Sequence, residues 1–211
     1  MIALAAFLGN PGEEYRGNRH NAGRLLAEAL PFFSSLDWKK KYRGLYAALA
    51  GDLLRTYAGP GQETGENPGG PAEKVHLLLP ETYMNRSGDS VLAAAAFFKI
   101  EPEHILVVHD ELELSLGQLS LKFSGGLGGH NGLRSMKARF GTADFWRLRI
   151  GIGRPNHDDI SGWVLSDFSP QERTVLDPVL EAAAGVLIQA LAFGPQGLLP
   201  EWNKKKIAME I

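Results

Sequence analysis

The 211-residue chain contains no cysteine. That excludes a disulfide framework, a cysteine nucleophile and thiolate metal sites, and it suits a reducing compartment. A cytoplasmic location is expected. The chain also lacks a dominant charge: 22 basic side chains against 24 acidic ones give a formal net charge of −2. The whole-chain value therefore points to no polyanionic partner. No apolar run reads as long enough to cross a bilayer, so no membrane partner is expected. The apolar opening, Met1 to Leu8, has no basic leader and is broken by Gly9-Asn10-Pro11-Gly12. It reads as a first buried strand, not a secretion signal. Several catalytic signatures are missing too. There is no Gly-x-Ser-x-Gly elbow, no Walker pattern and no His-Glu-x-x-His. The Gly-rich stretch 125–132 departs from Gly-x-Gly-x-x-Gly, because Asn131 stands where the last glycine belongs.

What is present is an ordinary globular composition, 44% hydrophobic and 22% charged, in a length that suits one large domain with a buried core. Residues 2–8 read as a buried strand, and 21–30 as a helix with Leu25, Leu26, Ala29 and Leu30 at helical spacing. Pro31 ends or kinks it. Residues 43–50 and 52–57 read as two short strands hairpinned around Gly51-Asp52. Residues 58–73 are rich in Gly, Pro, Glu and Asn and read as a flexible surface insertion. Strands are expected at 74–79, 105–108, 118–123 and 145–152, and helices at 86–99 and 131–140. Ile105-Leu106-Val107-Val108 has the continuous apolar character of a central parallel strand, and 118–123 that of an edge or half-exposed one. Ser169-Pro170-Gln171-Glu172 is a capping box that opens a helix to about Phe193. The alternation predicts an α/β fold: a single domain, 1–211, with a twisted mixed, largely parallel sheet and helices on both faces.

Charge is segregated along the chain. Between Lys122 and Arg154 stand seven basic residues (Lys122, Arg134, Lys137, Arg139, Arg147, Arg149, Arg154) and one acidic residue, Asp144. Lys39-Lys40-Lys41 with Arg43, and Lys204-Lys205-Lys206, form two more clusters. Such a distribution can build a basic face on a neutral protein; solvated surface without a ligand is the plain alternative.

Three asparagine-bearing segments follow expected strands or their loops: Gly9-Asn10-Pro11-Gly12, Tyr83-Met84-Asn85-Arg86-Ser87-Gly88, and Gly128-Gly129-His130-Asn131-Gly132. Sites in α/β sheets gather at such carboxyl ends. Asparagine amides donate and accept hydrogen bonds without charge. Placed beside one histidine and one aspartate, they suit the positioning of an uncharged carbonyl and a water. His20, in the polar stretch Gly17-Asn18-Arg19-His20-Asn21, is the candidate general base. Asp110, at the end of an aliphatic run, is the candidate carboxylate that orients a histidine ring. Each has a structural alternative: His20 beside a helix cap, Asp110 as a loop cap, the asparagines as turn residues, and Asn131 as a helix cap. His109 and Asp110 should point to opposite faces, which disfavours joint ligation of a metal. The glycine loop 125–132 can offer backbone N–H groups to a phosphate or carbonyl.

At these residues the chain resembles bacterial peptidyl-tRNA hydrolases. The resemblance covers about Ile2 to Glu172. It rests on Phe7-Leu8-Gly9-Asn10-Pro11-Gly12 with Tyr15, Arg19-His20-Asn21-Ala22-Gly23, Leu79 to Gly88, His109-Asp110-Glu111-Leu112, Gly126 to Leu133, Arg147 to Pro155 and Val164-Leu165. It implies hydrolysis of the ester between a peptide and the ribose of the tRNA 3′ adenosine. It implies His20 as the catalytic residue, Asp110 as its support, and Asn10, Asn85 and Asn131 as substrate-binding amides. Tyr15, Tyr83 and Met84 would supply apolar walls. Lys122 and Arg149 would face tRNA phosphates. Neither a metal nor another cofactor is required, and a monomer is expected.

The chain departs from the family's pattern in four places. Asn18 stands where a threonine is usual, 58–73 is longer than usual, the net charge is slightly acidic, and residues after Glu172 match loosely. Two other functions fit less well. A non-catalytic RNA-binding protein on the same fold would not need the intact His20, Asp110 and asparagines. Hydrolysis of another N-acyl ester or amide would not need the basic span 122–154.

Overall fold

The computed structural model describes residues 1–59 and 73–208. Among these residues, eight strands form one sheet: β1 (Leu4–Phe7), β2 (Lys39–Lys41), β3 (Gly44–Ala50), β4 (Lys74–Pro80), β5 (Ile105–Glu111), β6 (Gln118–Phe123), β7 (Trp146–Gly151) and β8 (Lys205–Lys206). Their order is β2-β3-β4-β1-β5-β7-β6-β8. The central strands β4, β1, β5 and β7 run parallel. β2, β3, β6 and β8 add antiparallel pairs at the two sides. The sheet is thus mixed, and parallel at its centre. β1 and residues 105–108 of β5 are buried on both faces, which is why they read as continuous apolar runs, whereas β4 and β7 admit Lys74, His76, Arg147 and Arg149.

Helices cover both faces. Alternate strand residues Ala5, Phe7, Leu77, Leu79, Leu106, Val108, Leu148 and Ile150 join one core. Against it pack α1 (Ala22–Glu28), α2 (Gly51–Ala58) and α6 (Pro170–Phe193). The intervening residues Leu4, Ala6, Leu8, Leu78, Ile105 and Val107 join a second core, under α3 (Ser87–Phe98) and α4 (Asn131–Phe140). The cap that opens α6 is as expected: Ser169 accepts from the Glu172 N–H, and Glu172 accepts from the Ser169 N–H at 2.7 Å.

Three expectations are corrected. Residues 52–57 are not a strand; they belong to α2. Gly51, Leu54 and Ala58 recur at three- and four-residue steps, and the helix packs them toward α6 and Phe32, whose ring meets Tyr57 at 5.0 Å. Second, α6 is long and apolar enough by length and composition to cross a membrane, with a mean hydropathy of 1.6 over its most apolar window. In this fold 67% of that window is buried, so α6 is a core helix. Third, β6 is not the outermost strand, since β8 pairs outside it. The expected insertion at 58–73 falls almost wholly on residues 60–72, outside the described residues.

Candidate active site

The carboxyl ends of β1, β4 and β5 converge, and each delivers one segment of the site. Asn10 follows β1. Its backbone N–H donates to Asn21 Oδ1 at 2.8 Å, and Asn21 Nδ2 donates back to the Asn10 carbonyl at 3.0 Å. Asn10 Oδ1 accepts from the Met84 N–H at 2.8 Å, so the first loop is tied to the segment after β4. With its oxygen committed, the Asn10 amide has its NH₂ end left over, which has no partner among the described residues.

A short 3₁₀ turn, Arg19–Asn21, leads into α1 and holds His20 over the end of β5. Gly23 makes this approach possible. A Cβ there would lie 2.6 Å from the Leu8 carbonyl oxygen and 2.7 Å from that of Val108. His20 Nδ1 stands 2.9 and 3.0 Å from the two Asp110 oxygens. Asp110 is only 2% exposed. An ionised carboxylate only accepts, so Nδ1 carries the proton and a neutral His20 keeps its lone pair on Nε2. Burial works against the His20 charge, but the Asp110 charge and hydrogen bond outweigh it and raise the pKa. For Asp110, burial opposes ionisation, and His130 and His20 hold the carboxyl well below the usual carboxylate range.

His130 was not among the residues expected here. Its Nδ1 accepts from the backbone N–H groups of Gly132 and Leu133 at 3.1 and 3.3 Å, capping α4. Its proton is therefore on Nε2, which donates to Asp110 Oδ1 at 2.9 Å. This also corrects the alternative reading of Asn131 as the cap: Asn131 is the first residue of α4, and exposed. The signal was at hand, a histidine directly before Asn131-Gly132, but a ring nitrogen serving as a cap is rare enough to be passed over. His109 makes no bond to the Asp110 side chain; its ring packs edge-on against that of His130, with the centroids 4.9 Å apart. His109 Nδ1 donates to the Asp110 carbonyl at 2.7 Å, and burial keeps its ring neutral, with a pKa well below the ordinary value.

A cavity of about 390 Å³ opens onto His20, Asp110 and His130, with Gly128, Gly129 and Asn131 on one wall and Ile160, Ser161 and Val164 of α5 (Ile160–Val164) on the other. Met84 is buried, Asn85 is exposed on the 3₁₀ turn Met84–Arg86, and Tyr83 is exposed with its ring edge-on to Tyr15 at 6.3 Å. These residues and Asn10 lie outside the cavity lining. Asp89 fixes that turn by accepting from Arg86 and, across to α4, from Arg139.

Arg19, beside His20, is a second residue that sequence reading left unassigned. Its guanidinium forms two bonds to Glu172 at 2.6 and 2.7 Å and lies 3.8 Å over the Trp163 ring. It thereby fastens the α5 wall to the turn that carries His20.

The basic span is smaller than its charge count. Arg139 pairs with Asp89 and Arg154 with Glu113. Arg147 is buried against the carbonyls of Gly125 and Gly126, so that part of the glycine loop presents acceptors rather than N–H donors to its neighbour. Arg149 pairs with Glu111 at 2.9 Å. Lys122, Arg134 and Lys137 have no ion-pair partner among the described residues. Nitrogens of His20 and His130 and a carboxylate oxygen of Asp110 do lie within 4.8 Å of one another, close enough for a metal. Those same atoms make the His–Asp hydrogen bonds, so an ion there would have to displace both ring protons.

A mixed α/β sheet with a buried, doubly hydrogen-bonded His–Asp pair at the carboxyl end of its strands is an arrangement that can carry acid–base chemistry. The family profile described as Peptidyl-tRNA hydrolase matches residues 4–210. The peptidyl-tRNA hydrolase of Treponema pallidum is 46% identical over 211 residues, covering 98% of this chain and 96% of its own. That of Desulfitobacterium hafniense is 44% identical over 181 residues, covering 85% and 88%. The crystal structure of the Acinetobacter baumannii peptidyl-tRNA hydrolase superposes with a TM-score of 0.73 at 36% identity, over 95% of this chain and 91% of that one. The chain belongs to the peptidyl-tRNA hydrolase family.

Proposed function

We propose that this chain hydrolyses the ester joining a peptide, or an N-blocked aminoacyl group, to the 3′ terminal ribose of tRNA, and so recycles tRNA from abandoned translation. The observation that carries the mechanism is the His20 Nδ1 to Asp110 contact, which leaves Nε2 as the ring's base in a wall of the cavity. Nε2 takes a proton from water as the water attacks the ester carbonyl, and Asp110 stabilises the imidazolium that forms. The proton then passes to the departing ribose oxygen. The NH₂ of Asn10, left over because its oxygen accepts from the Met84 N–H, donates to the developing oxyanion. Asn85 and Asn131 hold the peptide and the terminal nucleotide, and Tyr15, Tyr83 and Met84 form apolar walls. Lys122 meets a tRNA phosphate. Arg149, committed to Glu111, positions more than it attracts.

The test is release of free tRNA from N-acetyl-aminoacyl-tRNA, with and without EDTA, by the wild type and His20→Ala. Activity that survives chelation and collapses in the variant supports base catalysis by His20. Wild-type binding of tRNA without hydrolysis would replace this reading with that of an RNA-binding protein.

A further inference from the structure

The lysine cluster Lys204–Lys206 has no part in the site described above. β8 is two residues long, yet it closes the sheet outside β6, with Lys206 opposite Gln118 and Lys205 opposite Leu119. Paired residues share a sheet face, and faces alternate along a strand. Lys206 therefore lies on the face of Gln118, Ser120 and Lys122. The β6–β7 register, Ser120 opposite Arg149 and Lys122 opposite Arg147, places Arg149 on that face as well. Lys204 stands one residue before β8, in the bend that enters it. The Asn203 carbonyl accepts from Ser120 Oγ, which holds this entry to β8 against the sheet. Lys205 falls on the other face, where it pairs with Glu201 and lies 4.3 Å over Trp202.

Lys204 and Lys206 are exposed, and among the described residues neither has an ion-pair partner. Arg149 is neutralised by Glu111. Among the described residues, the uncommitted cations at this side of the sheet are then Lys122 and Lys206 on one face of β6 and β8, with Lys204 at the entry to β8. Three such cations suit a chain of phosphates better than a single anion.

We propose that β8 extends the tRNA-binding face, with Lys204 and Lys206 meeting phosphates of the tRNA body away from the reacting ester. This rests on the peptidyl-tRNA reading above. The test compares Lys204→Ala/Lys206→Ala with Lys39→Ala/Lys41→Ala, which removes the same charge from β2. β2 is seven strand spacings away, roughly 34 Å. Two substrates are used: N-acetyl-aminoacyl-tRNA and the same acyl ester on adenosine alone. The β8 pair is expected to raise KM for the tRNA substrate about tenfold with kcat unchanged, to leave the adenosine ester unaffected, and to flatten the dependence of log affinity on log salt by about 1.5. The β2 pair is expected to change KM by less than about twofold. Equal effects from both pairs, or an unchanged KM and salt slope in the β8 pair, overturn the proposal. If the wild type cleaves neither ester, the hydrolase reading is the one that has failed. Direct tRNA binding then decides on the lysines: a β8 variant that binds as tightly as wild type sinks the proposal.

Discussion

Asp110→Asn should do more damage than the loss of one charge, and the reason lies in His130. In the native site Asp110 accepts two ring N–H groups, from His20 and from His130. An amide offers one oxygen to accept and one NH₂ to donate. His130 reaches only Oδ1, whereas His20 Nδ1 faces both oxygens, so an amide that keeps its oxygen toward His130 sets its NH₂ against His20 Nδ1. His130 cannot turn its proton to Nδ1 without losing the N–H groups of Gly132 and Leu133 that this nitrogen accepts. His20 has no such commitment on Nε2, so it gives way: Nδ1 becomes the acceptor and Nε2 takes the proton. The base is then blocked in the neutral ring. Positioned general bases contribute roughly 10²–10⁴-fold, so kcat/KM should fall about 10³-fold, equivalent to about 4 kcal/mol of transition-state stabilisation. The acid limb of the pH–rate profile should also move. In the wild type it is expected above the ordinary histidine value, because the Asp110 charge and hydrogen bond outweigh burial at His20. With the charge gone, burial prevails and the limb shifts to lower pH. Stability follows the same groups. The raised His20 pKa contributes stability below its unfolded value, and that contribution fades as pH rises through the folded pKa. The depressed Asp110 pKa contributes above its unfolded value and fades as pH falls. Both are present between roughly pH 4 and 6.5, so urea unfolding at pH 5.5 should show a larger deficit than at pH 8.5. The decisive assay adds His130→Ser, which keeps a capping oxygen but is too short to reach residue 110. The double variant should be more active than Asp110→Asn alone, because the amide can then turn its oxygen to His20. If Asp110→Asn keeps kcat/KM within about threefold, or the double variant shows no recovery, the tautomer argument is wrong.

Two further changes test how the scaffold positions this pair. Gly23→Ala places a methyl 2.6 and 2.7 Å from two backbone oxygens that cannot rotate away. The strain should cost about 3 kcal/mol, lowering Tm by about 6–12 °C and reducing kcat through displacement of His20, as calorimetry and kinetics on the same preparation would show. Arg19→Met removes a guanidinium that is 4% exposed and bonded twice to Glu172. A loss of about 2–4 kcal/mol is expected, with faster proteolysis between residues 160 and 168. Arg19→Lys should recover little of this, since lysine has no planar fork to bond Glu172 and stack on Trp163 together.

The parts of this molecule that were legible in its sequence are those where one physical demand dominates. β1 and residues 105–108 of β5 are buried on both faces, a demand that a continuous apolar run satisfies. The α6 cap is local chemistry over four residues, so Ser169 and Glu172 reveal it without any tertiary knowledge. α2 failed because residues 52–57 are too short a stretch for Leu53, Leu54 and Tyr57 to separate helix from strand, and the helical spacing of Gly51, Leu54 and Ala58 gains meaning only against α6 and Phe32. Charge failed in a different way. Sequence counts cations, but a cation attracts a partner only if it is not already spent on a carboxylate or carbonyl, and Arg139, Arg147, Arg149 and Arg154 all are. Conversely Lys204 and Lys206 gain significance only from the β8 register, a long-range pairing that a two-residue strand does not announce. The same logic governs the His20–Asp110 pair. His20 and Asp110 could be named from residue type and setting, 90 positions apart, yet which nitrogen of His20 holds the lone pair is decided by its contact with the Asp110 carboxylate, which also accepts from His130. That ring's own tautomer is set by two backbone N–H groups at the start of α4. A helix cap thus fixes the tautomer of His130, and one buried carboxylate accepts from both rings, an arrangement that arises only from three segments meeting in space.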